Sequence, residues 1–126
     1  MTDIELDNQF NGNKLEKSAL LKSKLEKISK MIADKEFNTA ATSAEKLTEE
    51  FPNSHLSWNI LGNTYRRLER TREAEQSFRQ ATRVNSNSFE SFLNLGLILK
   101  KQEYKHEAVA ALSRAHEINS AHPQVM

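Results

Sequence analysis

The residue types that most often do chemistry are scattered along this chain in ways that keep them from cooperating. The four histidines are His55, His106, His116 and His122. No two stand at i, i+4, and neither an HExxH motif nor a calcium-loop pattern is present. Without cysteine, thiolate chemistry, disulfide scaffolding and cysteine-ligated zinc are excluded. Gly12, Gly62 and Gly96 are isolated, so no glycine-rich loop cradles a phosphate, and no serine sits in a nucleophile-elbow context. The carboxylates often have Lys or Arg three or four residues away, the pattern of solvated helix faces. The sequence therefore predicts no catalytic residue, no metal site and no cofactor. What remains is recognition chemistry. Asn59 and Asn63 fall one helical turn apart, and carboxamides donate and accept hydrogen bonds at once. Arg66 and Arg67 follow them. Asn94, Lys100 and Lys101 repeat the theme further on, with Leu93 and Leu97 interleaved as contact area.

Few breakers interrupt the chain that must position these groups. Its 126 residues amount to one domain, with only three glycines and two prolines. Leu, Ala, Glu, Lys and Arg are frequent, no β-branched alternation is sustained, and helix is expected almost throughout. Lys+Arg 18 against Asp+Glu 17 leaves a net charge of +1, so no overall field points to nucleic acid or an anionic membrane. The second half, from residue 55 onward, is the more basic and is where an anionic ligand would bind. The acidic start Met1-Thr2-Asp3-Ile4-Glu5 is unlike a secretory signal, and no apolar run is long enough to span a bilayer. The reading is a cytoplasmic protein with no membrane or nucleic-acid partner. Six helices are expected near 14–34, 37–50, 54–68, 71–85, 88–101 and 105–119, with Ser54 and Ser88 as N-caps. Residues 1–13 and 123–126 are expected to be tails.

The strongest signal is internal. Trp58, Leu61, Gly62 and Tyr65 recur as Phe92, Leu95, Gly96 and Leu99, and Ala74, Phe78 and Ala81 recur as Ala108, Leu112 and Ala115, always 34 residues on. Each unit so described is two helices that approach closely where a small residue faces a large one. These residues, in this order and spacing, resemble the tetratricopeptide repeat (TPR) signature. A less regular unit precedes them. Ala40 lies 34 before Ala74, Phe51-Pro52 falls where the family often ends a repeat, and Leu21, Leu25, Ile28 and Ile32 form an apolar stripe. Lys24 there replaces the aromatic, Ile28 the glycine, Ala44 the Phe and Leu47 the second Ala. The resemblance implies an all-α, right-handed solenoid of about three antiparallel helix–turn–helix repeats, near 21–54, 55–88 and 89–122.

The resemblance also implies a role. The first helix of each such unit lines a concave surface that binds protein or peptide. Asn59, Asn63, Arg66, Arg67, Leu93, Asn94, Leu97, Lys100 and Lys101 are then the expected peptide-binding set, suited to an extended acidic segment. Asn63 and Asn94 match the offsets of a family set that clamps a terminal carboxylate, whereas Asn59 stands where that set has Lys. Two other readings are open. Phe51-Pro52-Asn53 leading into Trp58 resembles N-terminal TPR regions of larger bacterial enzymes such as glycosyltransferases, sulfotransferases and hydroxylases. The last helix also reads Val109-Ala110-Ala111 where the middle unit has Glu75-Gln76-Ser77. That greasier helix, together with Pro123 in a position to open another helix, fits a piece of a longer chain. It also fits a homo-oligomer contact through Val109, Ala111 and Leu112, or an ordinary surface.

Overall fold

Six helices follow one another through short turns: α1 (Asp3–Ala33), α2 (Phe37–Glu50), α3 (His55–Arg67), α4 (Thr71–Val84), α5 (Phe89–Lys101) and α6 (Lys105–Ser120). They are seen in a computed structural model that describes residues 3–120, with side chains from Lys14 onward. The tail expected at 123–126, Pro123 included, lies outside those residues. α1 departs from expectation, since it begins at Asp3 and takes in most of the stretch read as a tail. Gly12 is the only strong helix breaker in that stretch of sequence. α1 pairs with α2, α3 with α4 and α5 with α6, while α2 also packs on α3 and α4 on α5. The result is a right-handed α-solenoid of three hairpin units.

What brings each pair of helices together is a notch. A Cβ built on Gly62 would lie 2.5–2.9 Å from ring atoms of Phe78, and one on Gly96 would lie 2.6 Å from Leu112. Phe78 is only 1% exposed, so its ring has nowhere to retreat. Burial of a side chain of that size contributes about 1.5–3 kcal/mol, which outweighs the roughly 1 kcal/mol that glycine costs inside a helix. The first unit solves the same problem in reverse. Ile28 holds the glycine position and Ala44 the Phe position, and both are buried, at 3% and 0%. Large and small residues have traded helices, which explains how the departures from the repeat pattern still build a unit. Lys24, in the place of the aromatic, turns outward to Glu50 at 2.6 Å.

The turns repeat as faithfully as the helices. Lys35, Glu69 and Glu103 adopt φ of 63°, 60° and 65°, and they stand 34 residues apart. Each ends the first helix of a unit in the same way. The N–H groups of Glu36, Arg70 and Tyr104 reach back to the carbonyls of Met31, Tyr65 and Leu99 at 2.8, 2.9 and 3.0 Å. This is the six-residue closure that normally uses glycine at the left-handed position. Ser54 and Ser88 are the N-caps of α3 and α5, but only Ser88 accepts a side-chain hydrogen bond, from the Ser91 N–H. Where Trp58 Nε1 donates to the Pro52 carbonyl at 2.8 Å, the next unit has Phe92, and Arg114 reaches the matching Ser86 carbonyl at 3.3 Å.

Two substitutions test the notch and one tests the turn. Gly62→Ile should cost about 1–3 kcal/mol by overpacking, and Phe78→Ala about 3–5 kcal/mol by leaving a cavity. The double variant, which copies Ile28 and Ala44, should lose clearly less than the sum in urea unfolding; strict additivity would refute the exchange. Glu103→Gly should gain about 1 kcal/mol by relieving the left-handed backbone.

Candidate functional site

In α3 the side turned toward α4 bears Trp58, Leu61, Gly62 and Tyr65. At about 100° per residue, the far side bears Leu56, Ile60, Asn63 and Arg67, whereas Asn59 and Arg66 look sideways toward α5. One repeat later the far side of α5 bears Glu90, Asn94 and Lys101, with Leu97 at its edge, and Leu93 and Lys100 look sideways. The first helices of successive units thus present a common inner wall. The nine expected binding residues do not all share it.

Asn59 is the clearest departure. It is only 4% exposed, and its Nδ2 donates to Ser91 Oγ at 2.8 Å, while Ser91 Oγ donates to Ser88 Oγ at 2.8 Å. The expected pair of parallel amides is therefore split: Asn63 lines the wall and Asn59 ties α3 to α5. The junction before it lacks such a tie. Ser57 stands one repeat before Ser91, but the position matching Asn59 is Leu25, and Ser57 Oγ is buried without a partner. On the wall, Asn63 Oδ1 accepts from Arg66 Nη2 at 3.2 Å. Arg67 lies 5.2 Å above the Phe37 ring. Asn94 Nδ2 is buried and unpartnered, and Lys101 is exposed. Leu56 and Leu97, 40% and 46% exposed, supply apolar area. Leu56 and Ile60 were not expected; the spacing from Asn63 and Arg67 along one helix face identifies them.

The outer side is knit by different groups. Tyr65 Oη donates to Glu45 Oε1 at 2.9 Å, tying α3 to α2. Arg70 covers the Tyr65 ring at 4.6 Å and pairs with Glu73. Burial, followed by the hydrogen bond to the Glu45 carboxylate, pushes the Tyr65 phenol up from 10.0 to about 12. Arg79 Nη2 of α4 reaches Glu107 of α6 at 2.5 Å, and Gln102 Nε2, at the end of α5, donates to Glu75 of α4 at 2.6 Å. In the last helix, Ala111 is 6% exposed and Leu112 presses on Gly96, so of the three expected oligomer contacts only Val109, 64% exposed, faces fully outward. Among the described residues no group of three His, Asp or Glu could hold a metal ion, and no helix is long and apolar enough to cross a membrane.

Comparison with known proteins agrees with this geometry. The family model described as tetratricopeptide repeat matches residues 56–88 and 89–122, together more than half of the chain. The chain is a tetratricopeptide repeat protein. The TPR fold also links it to solved structures, all at low identity. MamA from Desulfovibrio magneticus RS-1 superposes with a TM-score of 0.75 at 14% identity, covering 82% of this chain and 58% of that one. The Yersinia enterocolitica type III secretion translocator chaperone SycD gives 0.76 at 13%, covering 82% and 79%. The second TPR of Spaghetti (RPAP3), bound to the HSP90 peptide SRMEEVD, gives 0.73 at 13%, covering 78% and 91%. The chain thus spans about three fifths of that solved MamA chain, which runs from its residue 41 to the end. No curated protein matches the sequence.

The ties between TPR units make two expectations. Asn59→Ala should lower stability by about 1–2 kcal/mol in thermal or urea unfolding, because Ser91 loses one of its two partners. The raised Tyr65 pKa means that the folded chain keeps a proton which the unfolded chain releases. The stabilisation is complete below pH 10.0 and is lost as pH rises toward about 12. Unfolding followed across that window should show the decline, and Tyr65→Phe should flatten it.

Proposed function

We propose that the chain is a non-catalytic binding module that takes an extended, acidic segment of a partner protein along its inner wall. What supports this reading is helix register: Asn63 and Arg67 share one side of α3 with Leu56, and Asn94 and Lys101 share the corresponding side of α5, with Leu97 at its edge. A carboxamide meets both the N–H and the C=O of a bound backbone, and Asn94 Nδ2, which is buried, has no hydrogen-bond partner among the described residues. Lys101 and Arg66 form no ion pair among the described residues, so a carboxylate meets them without displacing one. Charge-assisted hydrogen bonds of this kind are roughly twice as strong as neutral ones. Cations at the ends of α3 and α5 also complement the helix dipoles, a structural role that binding leaves intact. Membership of the TPR family supports an interaction role, as does the acidic peptide held by the first and second TPR of Spaghetti (RPAP3).

The reading is tested by fluorescence anisotropy with a labelled SRMEEVD peptide and a version in which each acid is replaced by its amide. The acidic peptide should bind and weaken with added salt. Asn94→Ala and Lys101→Ala should each reduce affinity about tenfold, which corresponds to about 1.4 kcal/mol, at unchanged helicity. Equal binding of the amide version would remove the acidic preference, and wild-type affinity in both variants would remove the inner wall as the site.

A further inference from the structure

Each unit of the solenoid has a side turned to the next. In the middle unit that side offers Asn59, Glu75 and Arg79, and all three are engaged, by Ser91, Gln102 and Glu107. The matching positions in the last unit are Leu93, Val109 and Ser113, so the polar ties have been replaced by apolar or small groups. Among the described residues nothing packs on this α5–α6 face. Val109 is 64% exposed and neighbouring Leu97 46%. A shallow recess of about 420 Å³ runs along it past Val109, Leu112, Ser113 and His116.

The charges on this face are arranged end to end. Toward the α5–α6 turn stand Lys100 and Lys105, with Glu103 in the turn itself and Glu107 turned to Arg79. At the other end stands Glu117, with Glu90 next to it at the start of the inner wall. Arg114 touches Glu117 at 3.3 Å but leans across the Phe92 ring, at 5.9 Å, on the side away from the face. A two-fold axis through the middle of the face lays each basic end on the acidic end of a copy and brings the Val109 patches together. Such a self-complementary arrangement suits an isologous contact. Head-to-tail stacking does not fit. The first unit has Asp34 at the position of Gln102, which would set a carboxylate against Val109.

We infer that the α5–α6 face is the seat for the same face of a second copy, closing the solenoid as a two-fold, four-helix layer. This interface borders the inner wall only at its rim, at Leu97 and Lys100. A face two helices wide and 13 residues long measures about 20 Å by 20 Å. That is small beside the roughly 800 Å² per partner of a standard interface, so the dimer dissociates on dilution.

Sedimentation equilibrium over a concentration series tests the inference. The expected result is a monomer–dimer equilibrium with twice the 14.4 kDa chain mass as its upper limit. Val109→Glu should leave a helical monomer. Lys105→Glu and Glu117→Lys should each weaken the dimer at least several-fold, and the double variant should recover it, since two-fold symmetry restores the opposed charges. A monomer at every concentration, growth beyond two copies, or a dimer indifferent to Val109→Glu would each overturn it. Circular dichroism confirms that the variants are folded.

Discussion

Everything in this molecule depends on two helices of a hairpin coming close enough for one side chain to sit inside the other helix's outline. Gly62 admits Phe78, Gly96 admits Leu112, and in the first unit the buried Ile28 and Ala44 hold the same two positions with the sizes exchanged. Only when that distance is short do Trp58 and Tyr65 cover the flanks, and only then does the next hairpin meet a surface of the right shape. Helix propensity makes the six segments, but it says nothing of how they stack. Complementary volume does that, because protein interiors tolerate neither gaps nor overlap.

Much of this was legible in the sequence, for a physical reason. A solenoid repeats its environment every 34 residues, so the same demands on size and polarity recur and leave the same residue types behind. Five of the six helices begin and end within about a residue of expectation. The start of α1 was missed because polar, asparagine-rich segments read as tails while α-helical geometry tolerates them. The left-handed turn residues were invisible too, since Lys35, Glu69 and Glu103 are not the glycines that usually mark such positions. The inner wall was half legible. Residue type drew attention to amides and cations on the first helices, but the fate of Asn59 is decided by a serine 32 positions away. A side chain looking sideways along a stack is distinguished from one looking inward only when its neighbour's identity is known.

The faces of the molecule divide its labour. The outer side is held by ion pairs and the Tyr65–Glu45 contact, the inner wall leaves Asn94 and Lys101 unengaged among the described residues, and the end face exchanges the polar ties of the middle unit for Leu93, Val109 and Ser113. No side chain is asked to serve two of these purposes except at the rims, where Leu97 and Lys100 border both wall and end. Such separation follows from the architecture, because every helix has one stripe spent on its partner and the remaining arc is shared among solvent, ligand and the next unit.

The chain Asn59–Ser91–Ser88 has a mechanical consequence. Hydrogen bonds are directional, so sliding α5 along α3 by even one residue rise breaks the contact, and the middle and last units are indexed like teeth on a rack. Between the first and middle units Leu25 takes the place of Asn59, and the directional tie moves to the outer helices, where the Tyr65 hydroxyl holds Glu45 of α2. The stack is therefore indexed at both junctions, between α3 and α5 at one and between α2 and α3 at the other, so it resists sliding along its whole described length.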